Sequence, residues 1–193
     1  MSPEVCRSPR HLITSACPLL TPSECAAWIG WAEARGFQRE KLARTSSTAL
    51  RDQWRMSLHS PELAAALFQR LVHFDLPPPL VGASKCAGCN PNLRLYKYEQ
   101  GQRFGPHVDE SNALADGTKT QLTVLVYLNQ EFEGGETAFY RDHRATREAY
   151  TFVPRQGAVL LHAHGAQCLT HEAMPVRRGV KYVLRTDVAY SNR

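Results

Sequence analysis

Hydrophobic positions follow two different periods along this chain. Near the N-terminus Thr21-Pro22-Ser23-Glu24 forms a helix start: Thr21 can cap, Pro22 suits the first helical position, and Glu24 completes a capping box. Cys25, Trp28, Ile29 and Ala32 then line one face at helical spacing, and Gly36 ends the helix. A second helix is predicted from Ser60-Pro61, with Leu63, Leu67, Phe68 and Leu71 on one face, until Pro77-Pro78-Pro79 forbids continuation. The segment between the two helices shows no clear period. From Asn92 the period becomes two: Leu93, Leu95, Tyr96 and Tyr98 read as a strand broken by Gly101 and Gly105. Gln121–Leu128, Gly157–His162 and Lys181–Tyr190 are further strands.

Short strands punctuated by glycine pairs such as Gly134-Gly135, without helix-length segments between them, disfavour a parallel α/β sheet. They predict an α+β, mainly β fold, a double-stranded β-helix (jelly-roll) core with the N-terminal helices packed on its outside. The expected organisation is an extension over residues 1–20, then one domain over 21–193, its helical part 21–80 and its jelly-roll part 92–190.

Composition adds bounds. The 193 residues are 43% hydrophobic and 21% charged, enough for a core, with a net charge of +5 and no dense Lys/Arg block. Six cysteines are too dilute for a disulfide framework. Cys86-Ala87-Gly88-Cys89 has no partner pair for zinc and reads as an incidental loop or a disulfide. Residues 1–20 contain no continuous apolar signal region, and no run is long enough to cross a bilayer. The expectation is a cytoplasmic protein without membrane or nucleic-acid partners, its N-terminal arginines and serines giving only a weak organelle-targeting character.

Candidate chemistry begins with His107-Val108-Asp109. On an extended segment these two side chains share a face about 6.6 Å apart and can lean towards one ion. A third donor from a distant strand would complete the two-histidine, one-carboxylate set that leaves open positions on Fe(II). The residues leave the choice among His162, His164 and His171 open at this point. His162 and His164 read as the edge of a strand and its turn rather than as ligands; His11, His59, His73 and His143 read as surface or core residues. In Lys181–Tyr190 the even positions suit packing, so the odd face presents Lys181, Arg185 and Asp187, either to solvent or to a barrel interior holding an anion.

The combination resembles the prolyl 4-hydroxylase-like family of Fe(II)- and 2-oxoglutarate-dependent dioxygenases, over roughly residues 92–190. The elements come in the family's order: Tyr98, His107-x-Asp109, Tyr127-Leu128-Asn129, Gly134-Gly135-Glu136-Thr137, and His171-Glu172 with Lys181 ten residues later. Ala173 departs from it, standing where the family commonly has Gly after His-Glu; this would alter a turn and not a ligand. The resemblance implies that His107, Asp109 and His171 bind iron, that Lys181 grips the distal carboxylate of 2-oxoglutarate, and that the Tyr98 and Tyr127 hydroxyls assist, with Thr123 and Leu125 lining the same cavity. It further implies O2 as cosubstrate and ascorbate as supporting reductant. The implied activity is hydroxylation of an unactivated C–H bond, releasing succinate and CO2, on a prolyl residue of a protein or peptide. The alternatives are a small molecule such as free proline, a nucleic-acid demethylase, which Lys181 and the lack of a basic aromatic stripe disfavour, and a non-catalytic jelly-roll binding module. Glu110–Thr120 is a candidate lid or a plain surface loop. Arg185 could contact the cosubstrate, a peptide, or only Asp187 and solvent. Arg141, His143, Arg144 and Arg147 read as a solvated insertion.

Overall fold

The structure, a computed structural model, describes residues 13–16, 18–45, 48–73, 76 and 83–192; the Pro77–Pro79 stop and His11 lie outside them. The elements run β1 (Ile13–Ala16), α1 (Pro22–Arg35), β2 (Gln38–Leu42), β3 (Arg51–His59), α2 (Pro61–Leu71), β4 (Ala83–Cys89), β5 (Asn92–Tyr98), β6 (Arg103–His107) and β7 (Lys119–Tyr127). They continue with β8 (Phe132–Gly134), β9 (Thr137–Tyr140), β10 (Glu148–Phe152), β11 (Val159–Ala163), β12 (Thr170–Ala173), β13 (Val176–Gly179) and β14 (Lys181–Asn192). One curled sheet follows the order β1-β11-β7-β14-β5-β3-β6-β12-β9-β10, with β2 on β3 and β4 on β14, while β13 and β8 form a small second sheet.

Local chemistry sets these boundaries. Thr21 Oγ1 accepts the Glu24 amide, and Glu24 Oε2 accepts the Thr21 amide at 2.8 Å, so the capping box forms as the sequence predicts. Gly36 leaves the helix with φ +82°, a conformation that favours glycine. Ser60 caps α2, but its buried face is Ala64, Leu67 and Leu71, whereas Leu63 is 39% exposed. The face is rotated by one position because Leu63 lies in the capped first turn, on the solvent side of the i, i+3, i+7 stripe. The unpatterned segment between the helices forms β2 and β3, and residues within the expected N-terminal extension contribute β1, paired to β11. Cys86 and Cys89 lie on β4, not in a loop, and both are free thiols; burial raises both, Cys89 to about 12, which disfavours the thiolate that zinc requires.

Alternation along β7 and β14 divides the interior in two. Leu122, Val124, Val126 and Leu128 join Leu184, Val188 and Tyr190 in a core shared with α1 and α2, which therefore cover the outer face of the curl. The opposite face, with Tyr127 and Val183, joins Tyr96, Tyr98, Phe104, Phe139 and Phe152 inside it. Lys181, Arg185 and Asp187 lie on this inner face and are buried, which rules out the solvent-face alternative. Truncating Leu184, fully buried under the helices, removes a packed side chain at the seam of β5, β14 and β7. Leu184→Ala should lower the unfolding free energy by about 2–5 kcal/mol, read from urea denaturation.

Candidate metal and anion site

The inner face gathers its donors from two strands far apart in the sequence and the segment that follows the first of them. β6 brings His107; the chain leaving it brings Asp109; β12 pairs against β6 with His171 directly opposite His107. One donor atom from each of His107, Asp109 and His171 lies within 4.8 Å of the others. His107 Nε2 is 3.8 Å from Asp109 Oδ1, and His171 Nε2 is 3.6 Å from Oδ2. Each ring is fixed from behind: Nδ1 of His107 donates to the Gly105 carbonyl and Nδ1 of His171 to the Leu169 carbonyl, both at 2.9 Å. Because a carbonyl only accepts, these bonds place the ring proton on Nδ1 and turn Nε2 towards Asp109. Phe104 stacks on His107 at 3.7 Å between centroids and Phe139 on His171 at 5.4 Å. Two imidazoles and a carboxylate, pre-oriented and buried, suit Fe(II) with positions left open.

Asp109 is held as a carboxylate despite its burial, chiefly by the Arg185 guanidinium at 3.1 Å and by His171. Thr123 Oγ1 donates to Oδ2 at 2.7 Å. Arg185 also reaches Asp187, which Arg94 pairs from the other side at 2.8 Å, so a chain of alternating charges runs from the site into the barrel. Burial and the charge of His171 push His107 down to about 3. Burial opposes the charge of His171 as well, yet hydrogen bonding to Asp109 and Cys168 carries that ring up to about 10. A metal binding here therefore displaces a proton from His171.

Beside this trio stands a buried cation. Lys181, 2% exposed, opens β14 and donates to the Gly135 carbonyl at 2.6 Å, its amine 5.1 Å from the Tyr98 ring centre and 5.5 Å from that of Tyr127. It forms no ion pair among the described residues; the Glu136 charge acts only at longer range, and burial brings the ammonium from its ordinary 10.5 down to about 7. Gly135, at φ +67°, is required for this approach: a Cβ there would stand 3.1 Å from Lys181 Cδ and 3.2 Å from Val176. The Tyr127 hydroxyl is bonded to Thr137 Oγ1 at 2.6 Å, so its ring faces the ammonium while its oxygen braces β9. Tyr98, Tyr127, His107, Asp109, His171 and Lys181 thus line one cavity.

Residues 93–186 match a family model described as the 2OG-Fe(II) oxygenase superfamily. Over those residues the chain is similar to that superfamily, and the curated proteins it resembles are prolyl 4-hydroxylases. It is 32% identical over 111 residues to probable prolyl 4-hydroxylase 6 of Arabidopsis thaliana, covering 47% of this chain and 38% of that protein. The chain spans about two-fifths of the length of the curated relatives it matches. The viral collagen prolyl hydroxylase of Paramecium Bursaria Chlorella virus-1, in complex with 2OG, shares the fold with TM-score 0.65 at 18% identity, covering 92% of this chain and 95% of that one. So does a Trichoplax adhaerens prolyl hydroxylase in complex with a hypoxia inducible factor oxygen degradation domain peptide, TM-score 0.65 at 18% identity, covering 91% and 82%. The oxygenase fold is the jelly roll that the strand pattern predicts.

Several residues around this cavity were not legible as a site. His162 lies near the end of β11 and His164 in the turn after it, as expected, but both are buried and point inward, with His162 opposite Thr123 on β7. His164 Nε2 donates to Thr123 Oγ1 at 2.8 Å, since the one Thr123 proton goes to Asp109. The alternation Leu160, His162, His164 carried this signal. Ala173 lies on β12 beside a register shift, not in a turn. The 110–120 segment closes on itself through Leu114–Thr118 and Asn112–Thr120 backbone bonds. Arg141, His143, Arg144 and Arg147 form the exposed β9–β10 loop, organised around Asp142.

Lys181 generates a pH prediction. Its amine titrates near 7 in the folded protein and near 10.5 when unfolded, so the unfolded chain binds more protons between these values and stability rises with pH across that window. Lys181→Met should abolish this rise in the ligand-free protein and stabilise it at pH 7 and below, as measured by denaturation at several pH values.

Proposed function

We propose that this protein is an Fe(II)- and 2-oxoglutarate-dependent oxygenase that hydroxylates an unactivated C–H bond, on a prolyl residue of a protein or peptide, releasing succinate and CO2. The observation that carries this reading is the pairing of a His107, Asp109 and His171 donor set with a buried, anion-less Lys181 in one cavity. A buried ammonium without a counter-ion is unfavourable unless a ligand supplies the charge, and the distal carboxylate of 2-oxoglutarate supplies it. Lys181 is also the feature that speaks against a nucleic-acid demethylase and against a non-catalytic module.

His107, Asp109 and His171 would hold the metal through Nε2, a carboxylate oxygen and Nε2. Fe(II), once bound, supplies the oxygen activation, with ascorbate as supporting reductant. The protein's residues do the rest. The Gly105 and Leu169 carbonyls orient the imidazoles; Arg185 and Thr123 hold the carboxylate of Asp109 ionised and in place. Lys181, part neutral near pH 7, takes up a proton as the dicarboxylate enters and then fixes its far end, with the Tyr98 and Tyr127 rings as walls. The apolar inner face, with Phe139, Phe152 and Val183, excludes water from the reacting carbon. The prolyl substrate is favoured by the prolyl hydroxylases this chain is similar to, one of which is described in complex with a peptide.

Asp109→Ala should abolish succinate release from 2-oxoglutarate by purified protein with Fe(II), ascorbate and O2; wild-type release from the variant would sink the metal assignment. Lys181→Ala should retain metal but raise the 2-oxoglutarate requirement by roughly 100- to 5000-fold, matching about 3–5 kcal/mol for a broken buried pair. An unchanged requirement would move the anion site away from Lys181. A panel of proline-containing peptides against free proline, read by substrate-stimulated succinate release, tests the substrate class.

A further inference from the structure

Three imidazoles, not two, surround the carboxylate of Asp109. His162 lies on the inner face of β11, 2% exposed, its ring 4.3 Å from that of His171 between centroids and edge-on to Phe139 at 5.4 Å. His162 Nε2 is 3.6 Å from Asp109 Oδ2, the same separation that His171 Nε2 shows. This nitrogen is fully buried and has no hydrogen-bond partner among the described residues. An imidazole nitrogen buried in this way is costly unless something binds it. Donors held at about 2.0–2.2 Å from one ion stand roughly 3–4 Å apart, so the spacing suits two ligands of a shared metal.

We propose that His162 is a fourth protein ligand of the metal when 2-oxoglutarate is absent, completing a set with His107, Asp109 and His171. The inference rests on the metal reading above. The geometry also makes His162 the exchangeable member. His107 and His171 are braced by 2.9 Å bonds from Nδ1, whereas His162 Nδ1 is 3.4 Å from the carbonyl of the adjacent Ala163, a poor anchor. Chelation by two oxygens of the cosubstrate together with O2 needs three positions on a six-coordinate ion, and four protein donors leave two. His162 therefore yields its position when the cosubstrate binds, and until then it retains the metal and obstructs oxygen. Cys168 does not replace Asp109 in a rival trio with His162 and His171: the nitrogen facing its sulfur, His171 Nδ1 at 3.8 Å, is the one committed to Leu169.

Proton NMR of the Co(II)-loaded protein tests this, because each coordinated imidazole gives one strongly shifted exchangeable N–H resonance. The wild type should show three, falling to two on addition of 2-oxoglutarate, and His162→Phe should show two with or without it. The variant should also bind Co(II) about 10- to 100-fold more weakly in the absence of cosubstrate. Two resonances in the free wild type, with equal Co(II) affinity in the variant, would overturn the role of His162 while leaving the three-residue site intact. Failure of the wild type to bind Co(II) at all would overturn the metal reading and this inference with it. The comparison of wild type with and without 2-oxoglutarate needs no variant to fold.

Discussion

Asp109 is a carboxylate inside a barrel of aromatic and aliphatic side chains, and most of the inner architecture answers that one constraint. A buried anion persists only when cations and donors surround it. Arg185 and Thr123 meet it from β14 and β7, three imidazoles approach from β6, β11 and β12, and Arg94 closes the chain of charges through Asp187. Removing any one partner leaves charge uncompensated at low dielectric, so the network locks the relative positions of strands far apart in sequence. The same lock presents two nitrogen donors and one oxygen donor, pre-oriented, to a metal.

The strand β14 ties this network to the second half of the site. Its outer residues pack under α1 and α2, while its inner residues Lys181, Arg185 and Asp187 follow one another at alternate positions down the barrel. Lys181 differs from Arg185 in having no carboxylate partner among the described residues, and Gly135 allows its approach to the sheet's far wall. One cation is thus paired with a carboxylate, and the other meets only a backbone carbonyl among the described residues. In the proposed reading, that asymmetry separates an end that would hold a metal from an end that would hold an anion within a single cavity.

The sequence made the regular parts of this design legible. Thr21 and Glu24 specified the start of α1, alternation specified β5, β7 and β14, and His107-x-Asp109 with His171 and Lys181 specified the candidate site through resemblance. What it did not disclose depended on tertiary context. β2 and β3 lack a strong period because each is half exposed beside long charged side chains such as Arg39, Glu40 and Arg55. Leu63 misdirected the face of α2, since a capped first turn tolerates an exposed apolar residue. Arg185 and His162 could be assigned only once the curl of the sheet brought β14, β11 and β7 around Asp109; a histidine on a strand carries the same letter whether it faces solvent or a metal.

The account stands on the two ends of the cavity acting together, and an anaerobic binding titration tests this most directly. With Fe(II) present, one 2-oxoglutarate should bind per chain, and without metal binding should weaken by orders of magnitude, because chelation and the Lys181 contact each supply part of the affinity. Protein that retains Fe(II) yet binds no 2-oxoglutarate would contradict the account.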